Sequence, residues 1–63
     1  MKYFKVKISK EEYLISAKSP SFALQVMKEN SLDPSKMSSF KDVTLDYIRN
    51  TQNYQGLTAY TET

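Results

Sequence analysis

Two segments near the start of the chain alternate between apolar and polar residues, which is the period of a β-strand with one buried face. The positions assigned to that face are Phe4, Val6, Ile8, Tyr13, Ile15 and Ala17. Residues 9–12 connect the two segments and contain neither Gly nor Asn, so they predict a four-residue loop built on a type I turn. This loop pairs Ile8 with Tyr13 and brings all six side chains to one face of a hairpin.

Residues 19–30 carry the start signal, the apolar stripe and the stop signal of an α-helix. Ser19 is suited to cap the first turn, and Pro20 is suited to the first helical position. Four apolar residues at helical spacing form the stripe, namely Phe22, Ala23, Val26 and Met27. Asn30, which tolerates a left-handed conformation, and the following Asp33-Pro34 pair predict the end of the helix. A helix this short needs a sheet on which to dock.

The rest of the chain has a less regular pattern. Residues 31–39 predict a connection that contains one helical turn at Asp33-Pro34, with anchors at Leu32, Met37 and Phe40. Residues 41–49 fit either a strand or a helix, and the β-branched and aromatic content of residues 43–48 favours the strand. In the helical alternative, Ser39 and Asp42 have the spacing of a capping box. Residues 50–55 predict a polar turn, and residues 56–60 can add a short edge strand.

The order of these elements predicts an α+β fold, in which one helix packs on one face of a small antiparallel sheet. The topology is ββαβ, or ββαββ if residues 56–60 form a strand. Residues 1–60 form a single domain, and residues 61–63, which have nothing to bury, are expected to be a frayed C-terminal tail.

The composition excludes several kinds of chemistry. The chain has no cysteine and no histidine, which excludes disulfides, zinc sites of the Cys/His type and a histidine general base. Its acidic residues show no spacing typical of metal binding or acid-base catalysis, and the lone Gly56 excludes a glycine-rich phosphate loop. We therefore expect no enzyme activity, no cofactor, no metal and no small-molecule substrate. Because no apolar run is long enough for a signal peptide or a membrane span, we expect a cytoplasmic protein.

The outward face of the predicted hairpin is basic and partly apolar. Residues 1–31 contain six lysines, several of which fall on this face. The candidate partner-binding residues are Tyr3, Lys5, Lys7, Leu14, Lys18 and, on the predicted third strand, Ile48. An ordinary exposed face with scattered hydrophobic residues explains the pattern equally well. A single helix cannot cover both faces of a sheet, however, and this keeps the binding interpretation open.

A protein partner, including a second copy of the chain, suits this face better than a nucleic acid. Apolar anchors within a polar rim are typical of protein interfaces. The alternative is nucleic-acid binding through the basic sheet face, against which stand a single arginine and a single outward aromatic residue on the hairpin. The lysine-, asparagine- and serine-rich composition resembles that of small proteins from low-GC bacteria and their phages. We therefore expect an inhibitor, regulator or accessory factor of mobile-element origin.

Overall fold

The computed structural model describes residues 1–63, which form one four-stranded mixed sheet with two helices. The strands are β1 (Lys2–Ile8), β2 (Glu11–Ala17), β3 (Met37–Asp42) and β4 (Thr58–Thr61). The helices are α1 (Pro20–Glu29) and α2 (Thr44–Arg49), and 3₁₀ turns span Pro34–Lys36 and Thr51–Tyr54. The strand order is β3-β1-β2-β4. The predicted α+β fold with one helix packed on one face of the sheet is confirmed.

The β1–β2 hairpin is closed by a two-residue turn, Ser9 and Lys10, and not by the predicted four-residue loop. Ser9 has a φ of 56°, and both primed turn types require a positive φ at this position. Ile8 consequently pairs with Glu11 rather than with Tyr13. Because the register differs from the prediction by two residues, every side chain keeps its predicted face.

The first face of the sheet, which carries the apolar side chains of β1, is covered by α1. Ser19 caps this helix, since its hydroxyl accepts a hydrogen bond of 3.4 Å from the Phe22 N–H. The buried core comprises Phe4, Val6, Ile8, Ile15, Ala17, Ala23, Val26 and Met27. Phe22 is 43 % exposed, so its predicted place in the buried stripe is wrong. It lies at the margin of the stripe, where the helix surface turns away from the sheet.

The end of α1 differs from the prediction in one residue. Asn30 has a φ of −107°, and the left-handed position falls on Ser31, whose φ is 62°. The Asn30 side chain instead donates a hydrogen bond of 2.8 Å to the Val26 carbonyl. The predicted helical turn after Asp33 is confirmed as the 3₁₀ turn Pro34–Lys36.

The segment after this turn departs most from the predicted elements. Residues 37–42, half of which fall within the predicted connection, form β3, and residues 44–49 form α2 in place of the predicted strand. The chain leaves the sheet at Asp42, whose Oδ1 accepts hydrogen bonds from the Thr44 N–H at 3.0 Å and the Thr44 hydroxyl at 2.6 Å. The predicted Ser39–Asp42 capping box is absent, because Val43 occupies the cap position and makes no side-chain bond there.

The last strand, β4, pairs in parallel with β2, which makes the sheet mixed. Thr61 is the last residue of β4, and the Glu62 N–H donates a 2.8 Å hydrogen bond to the Ser16 carbonyl. The Glu62 carboxylate accepts a second bond of 2.8 Å from the Lys18 N–H. Thr61 and Glu62, which were predicted to fray, are therefore held by hydrogen bonds.

Both faces of the sheet carry a connection. The chain passes from β2 to β3 through α1 on the first face, and from β3 to β4 through α2 on the second face, which carries Tyr3, Lys5 and Lys7. The two crossovers run in opposite directions on opposite faces, so they have the same hand, as expected for strands of uniform twist. Neither helix has the length and apolar content that crossing a membrane requires.

Candidate interaction surface

Three tyrosine rings attach α2 and the following 3₁₀ turn to the second face. The ring of Tyr3 stacks on that of Tyr47, with centroids 4.1 Å apart and planes 18° apart. The Tyr47 ring also contacts the buried Tyr54 ring at 5.6 Å, in a tilted arrangement. Because stacked and tilted rings hold preferred geometries, this aromatic column fixes which side of α2 faces the sheet.

Hydrogen bonds to the Tyr3 backbone fix the start of α2. The Tyr3 N–H donates to the Thr44 hydroxyl at 3.0 Å, and the Val43 N–H donates to the Tyr3 carbonyl at 2.8 Å. The helix begins directly beside β1, and a six-residue helix needs such contacts because it is unstable alone.

The Asp46 carboxylate links α2 to the 3₁₀ turn that follows it. The Tyr54 hydroxyl donates to Asp46 Oδ2, and the Asn50 amide donates to Asp46 Oδ1 at 3.1 Å. The Tyr54 bond, then the Asn50 bond, with the nearby charges of Lys5 and Arg49, lowers the pKa of Asp46. The same Tyr54–Asp46 bond raises the pKa of Tyr54. Both oxygens of Asp46 are therefore committed to contacts within the molecule.

The opposite side of α2 presents an apolar pair to water. Leu45 is 70 % exposed and Ile48 is 65 % exposed, and the three-residue spacing places them on neighbouring turns of one helix side. Since Tyr47 faces the sheet, this pair points away from it. Exposed aliphatic side chains held on a fixed element are suited to act as anchors for another surface.

The open part of the second face carries a lysine strip, defined here as Lys5, Lys7 and Lys41. The β1–β3 register places Lys41 directly opposite Lys5, and Lys7 is two residues further along β1. Lys5 Nζ lies 3.3 Å from Glu12 Oε2, which is the only ion pair in the structure. Lys7 and Lys41 are exposed and form no ion pair, although the β1–β2 register places Glu12 opposite Lys7. The strip is therefore positively charged.

A shallow groove of about 670 Å³ borders the start of α2. Its lining residues are Lys2, Asp42, Val43, Thr44, Leu45 and Asp46. The hydroxyl and N–H of Thr44 lower the pKa of Asp42 by hydrogen bonding, so this carboxylate, like that of Asp46, is engaged in contacts within the molecule. No group of three or more His, Cys, Asp or Glu residues is placed to hold a metal ion.

Two of the six predicted binding residues lie inside the fold. Leu14 is only 5 % exposed, and the half-buried Tyr3 is stacked under Tyr47. Their predicted positions on an open surface are wrong, because α2 and the 3₁₀ turn cover this part of the second face. Leu14 is therefore not accessible as an anchor for a second copy of the chain, and self-association itself stays a prediction.

The other four predicted residues are at least partly accessible, but they do not form one cluster. Lys5 and Lys7 share the open part of the second face. Ile48 is exposed as predicted, although it belongs to α2 and not to a third strand. Lys18 follows the end of β2, where its backbone bonds Glu62, so it lies outside the strip.

The sequence analysis did not find Leu45 and Lys41, which complete the surface. Lys41 was missed because β3 was not predicted, and Leu45 because residues 41–49 were assigned to a strand rather than to a helix. The i, i+3 spacing of Leu45 and Ile48 was the available signal for an apolar helix side. Comparison of the chain with protein-family models, with curated proteins and with solved structures finds no match.

Proposed function

We propose that this chain is a non-enzymatic protein-binding module that occupies a partner's surface through the outward side of α2. The observation that carries the proposal is the 70 % and 65 % exposure of Leu45 and Ile48 on a helix whose other side is fixed to the sheet. An anchor on a fixed element loses less conformational freedom on binding than one on a mobile loop. The fully buried centre of an interface is more apolar than its rim, which suits such residues.

The size of the apolar pair sets the scale of the interaction. Burying each aliphatic side chain fully contributes about 1.5 to 3 kcal/mol, and association itself costs several kcal/mol. The pair therefore needs further contacts around it, which the lysine strip and the polar residues of α2 can supply. We propose an inhibitor, regulator or accessory factor acting in the cytoplasm, and the composition favours an origin in a phage or another mobile element.

A photo-crosslinking residue placed at position 48 tests this proposal. Wild-type protein carrying the crosslinker should form a defined adduct in a lysate of the source organism, and excess unlabelled protein should suppress it. The matched control carries the crosslinker at position 22, because Phe22 is also an exposed apolar residue but lies on α1. We expect the adduct from position 48 only.

A double variant provides the quantitative measurement on the purified partner. Leu45→Gln with Ile48→Gln should weaken binding at least tenfold, since it removes both anchors. The melting temperature should stay within about 8 °C of wild type, because exposed substitutions change stability by about 0.5 kcal/mol or less each. Unchanged affinity in the double variant, or equal crosslinking from position 22, would contradict the proposal.

A further inference from the structure

We infer that the partner presents carboxylates beside apolar side chains, and that the lysine strip receives those carboxylates while Leu45 and Ile48 contact the apolar part. This inference rests on the proposed function and specifies the chemistry of the partner. It is carried by the placement of Lys5, Lys7 and Lys41 on the second face, where Lys5 is two residues from Tyr3, the residue on which Tyr47 of α2 stacks.

The lysine strip lowers the stability of the unbound protein. Lys5 and Lys41 lie directly opposite each other in an antiparallel pair, where side chains start about 5 Å apart. Like charges in this position are destabilising. The hydrophobic core does not require a lysine at position 41, because the residue is exposed. A lysine there is therefore available for a contact outside the chain.

The acidic residues near the lysine strip already have partners within the molecule. Glu12 pairs with Lys5, Asp46 accepts bonds from Tyr54 and Asn50, and Asp42 accepts bonds from Thr44. Lys7 and Lys41 have no ion-pair partner. Their ammonium groups are free to meet carboxylates supplied by another molecule, and complementary charges of this kind speed association.

The surface suits an acidic protein better than a nucleic acid. Single-stranded nucleic acids are held largely by bases stacked on aromatic rings, but the rings of Tyr3, Tyr47 and Tyr54 are packed against one another. The chain has one arginine, the residue best suited to bidentate phosphate contacts. The exposed Leu45 and Ile48 also find no matching group on a phosphate backbone. An acidic protein segment with apolar residues fits both features.

The stability of the Lys41→Glu variant tests, without any partner, whether the like charges of Lys5 and Lys41 destabilise the protein. The substitution places a carboxylate opposite Lys5, so the melting temperature should rise by about 2 to 4 °C. The matched charge reversal Lys28→Glu on α1 should lower it slightly, since a lysine in the last helical turn interacts favourably with the helix dipole. A fall for Lys41→Glu would show that the lysine supports the fold and would overturn the inference.

Binding is tested with three probes added to ¹⁵N-labelled protein. The first is a synthetic peptide of leucines and glutamates, the second is the same peptide with lysines in place of glutamates, and the third is a single-stranded DNA of equal charge to the first. We expect amide shifts at positions 5, 7, 41, 45 and 48 with the glutamate peptide alone. Lys7→Glu with Lys41→Glu should weaken this binding at least tenfold, as the loss of close charge pairs implies.

Each alternative result has a defined meaning. Absence of these shifts at millimolar glutamate peptide overturns the inference, and equal shifts with the DNA would assign the surface to nucleic acid. If the lysine variant binds the natural partner normally while the Leu45 and Ile48 variant does not, the inference fails and the proposed function stands. If neither variant affects the partner, both fail.

Discussion

The two faces of the sheet are covered by connections of different character. On the first face, α1 buries Ala23, Val26 and Met27 against apolar strand residues. On the second face, α2 is held by stacked tyrosines, by hydrogen bonds to the Tyr3 backbone and by the Asp46 carboxylate. The packing of α1 supplies non-directional hydrophobic stability, whereas the contacts of α2 fix the orientation of that helix on the sheet. The molecule thus separates the face that buries the hydrophobic core from the face on which Leu45 and Ile48 stay exposed.

The largest expected effect tests the first face through neighbouring residues of α1. Val26, which is 2 % exposed, lies in the core, whereas Gln25 faces water. Val26→Asp buries an unpaired charge and should cost about 3 to 5 kcal/mol, enough to unfold a domain this small. Gln25→Asp should change stability by about 0.5 kcal/mol or less. Thermal melts measure both, and similar midpoints would show that the buried side of α1 is misassigned.

A smaller effect compares the two faces directly through adjacent residues of β2. Ile15 has no exposed surface and lies under α1, whereas Leu14, 5 % exposed, lies on the second face. Ile15→Ala should cost about 4 kcal/mol and Leu14→Ala about 2 kcal/mol, because the second face is covered by short elements that can relax into the space that Leu14 leaves. Urea titrations give both values. A larger loss for Leu14→Ala would mean that the second face is the more tightly packed of the two.

The smallest effect concerns pH and the Tyr54–Asp46 bond. Asp46 has a lowered pKa, so its contribution to stability is present above the unfolded-state pKa of about 3.9 and is lost as the pH falls through the folded-state pKa. Tyr54 has a raised pKa, so its contribution is present below about pH 10 and is lost as the pH rises through the folded-state pKa. The melting temperature should therefore decline at both extremes of pH.

Two asparagine substitutions separate these declines. Asp46→Asn should weaken both, because it removes the carboxylate that shifts Tyr54. Asp33→Asn should weaken only the acid decline, since the pKa of Asp33 is lowered by hydrogen bonds from Ser35 and not by Tyr54. Thermal melts between about pH 3 and pH 11 record the difference. If the melting temperature of Asp46→Asn declined at alkaline pH as much as that of wild type, the Tyr54–Asp46 bond would not be what holds α2 to the following 3₁₀ turn.

The hairpin and α1 could be predicted because their signals are local. Alternation identified the faces of β1 and β2, and Ser19 with Pro20 marked the start of α1. The register was displaced by two residues because Ser9 adopts a positive φ, which a serine gives no reason to expect. The predicted core was nevertheless correct for both strands, because side chains alternate between the faces and a displacement of two residues leaves each on its predicted face.

The helix α2 and its attachment to the second face could not be predicted, because they depend on tertiary contacts. Residues 43–48 have the β-branched and aromatic content of a strand, yet they form α2 once Asp42 bonds Thr44 and Tyr47 stacks on Tyr3. β3 has inward Phe40 and Met37 but little alternation elsewhere, so its pattern is weak. The candidate surface could be found only in part, since Leu45 and Lys41 acquire their positions from these two elements.

The attachment of β4 to β2 has a consequence for the order of folding. The Lys18–Glu62 hydrogen bond beside this strand pair joins residues 44 positions apart, whereas a two-residue turn joins the hairpin strands. Contacts that close long loops are entropically costly and form late, so the hairpin is expected to form first and β4 last. Elements completed last are also commonly the least protected against hydrogen exchange in the native state. The proposed binding helix precedes β4 in the chain, so a partner that holds this helix is expected to slow the opening of the last strand.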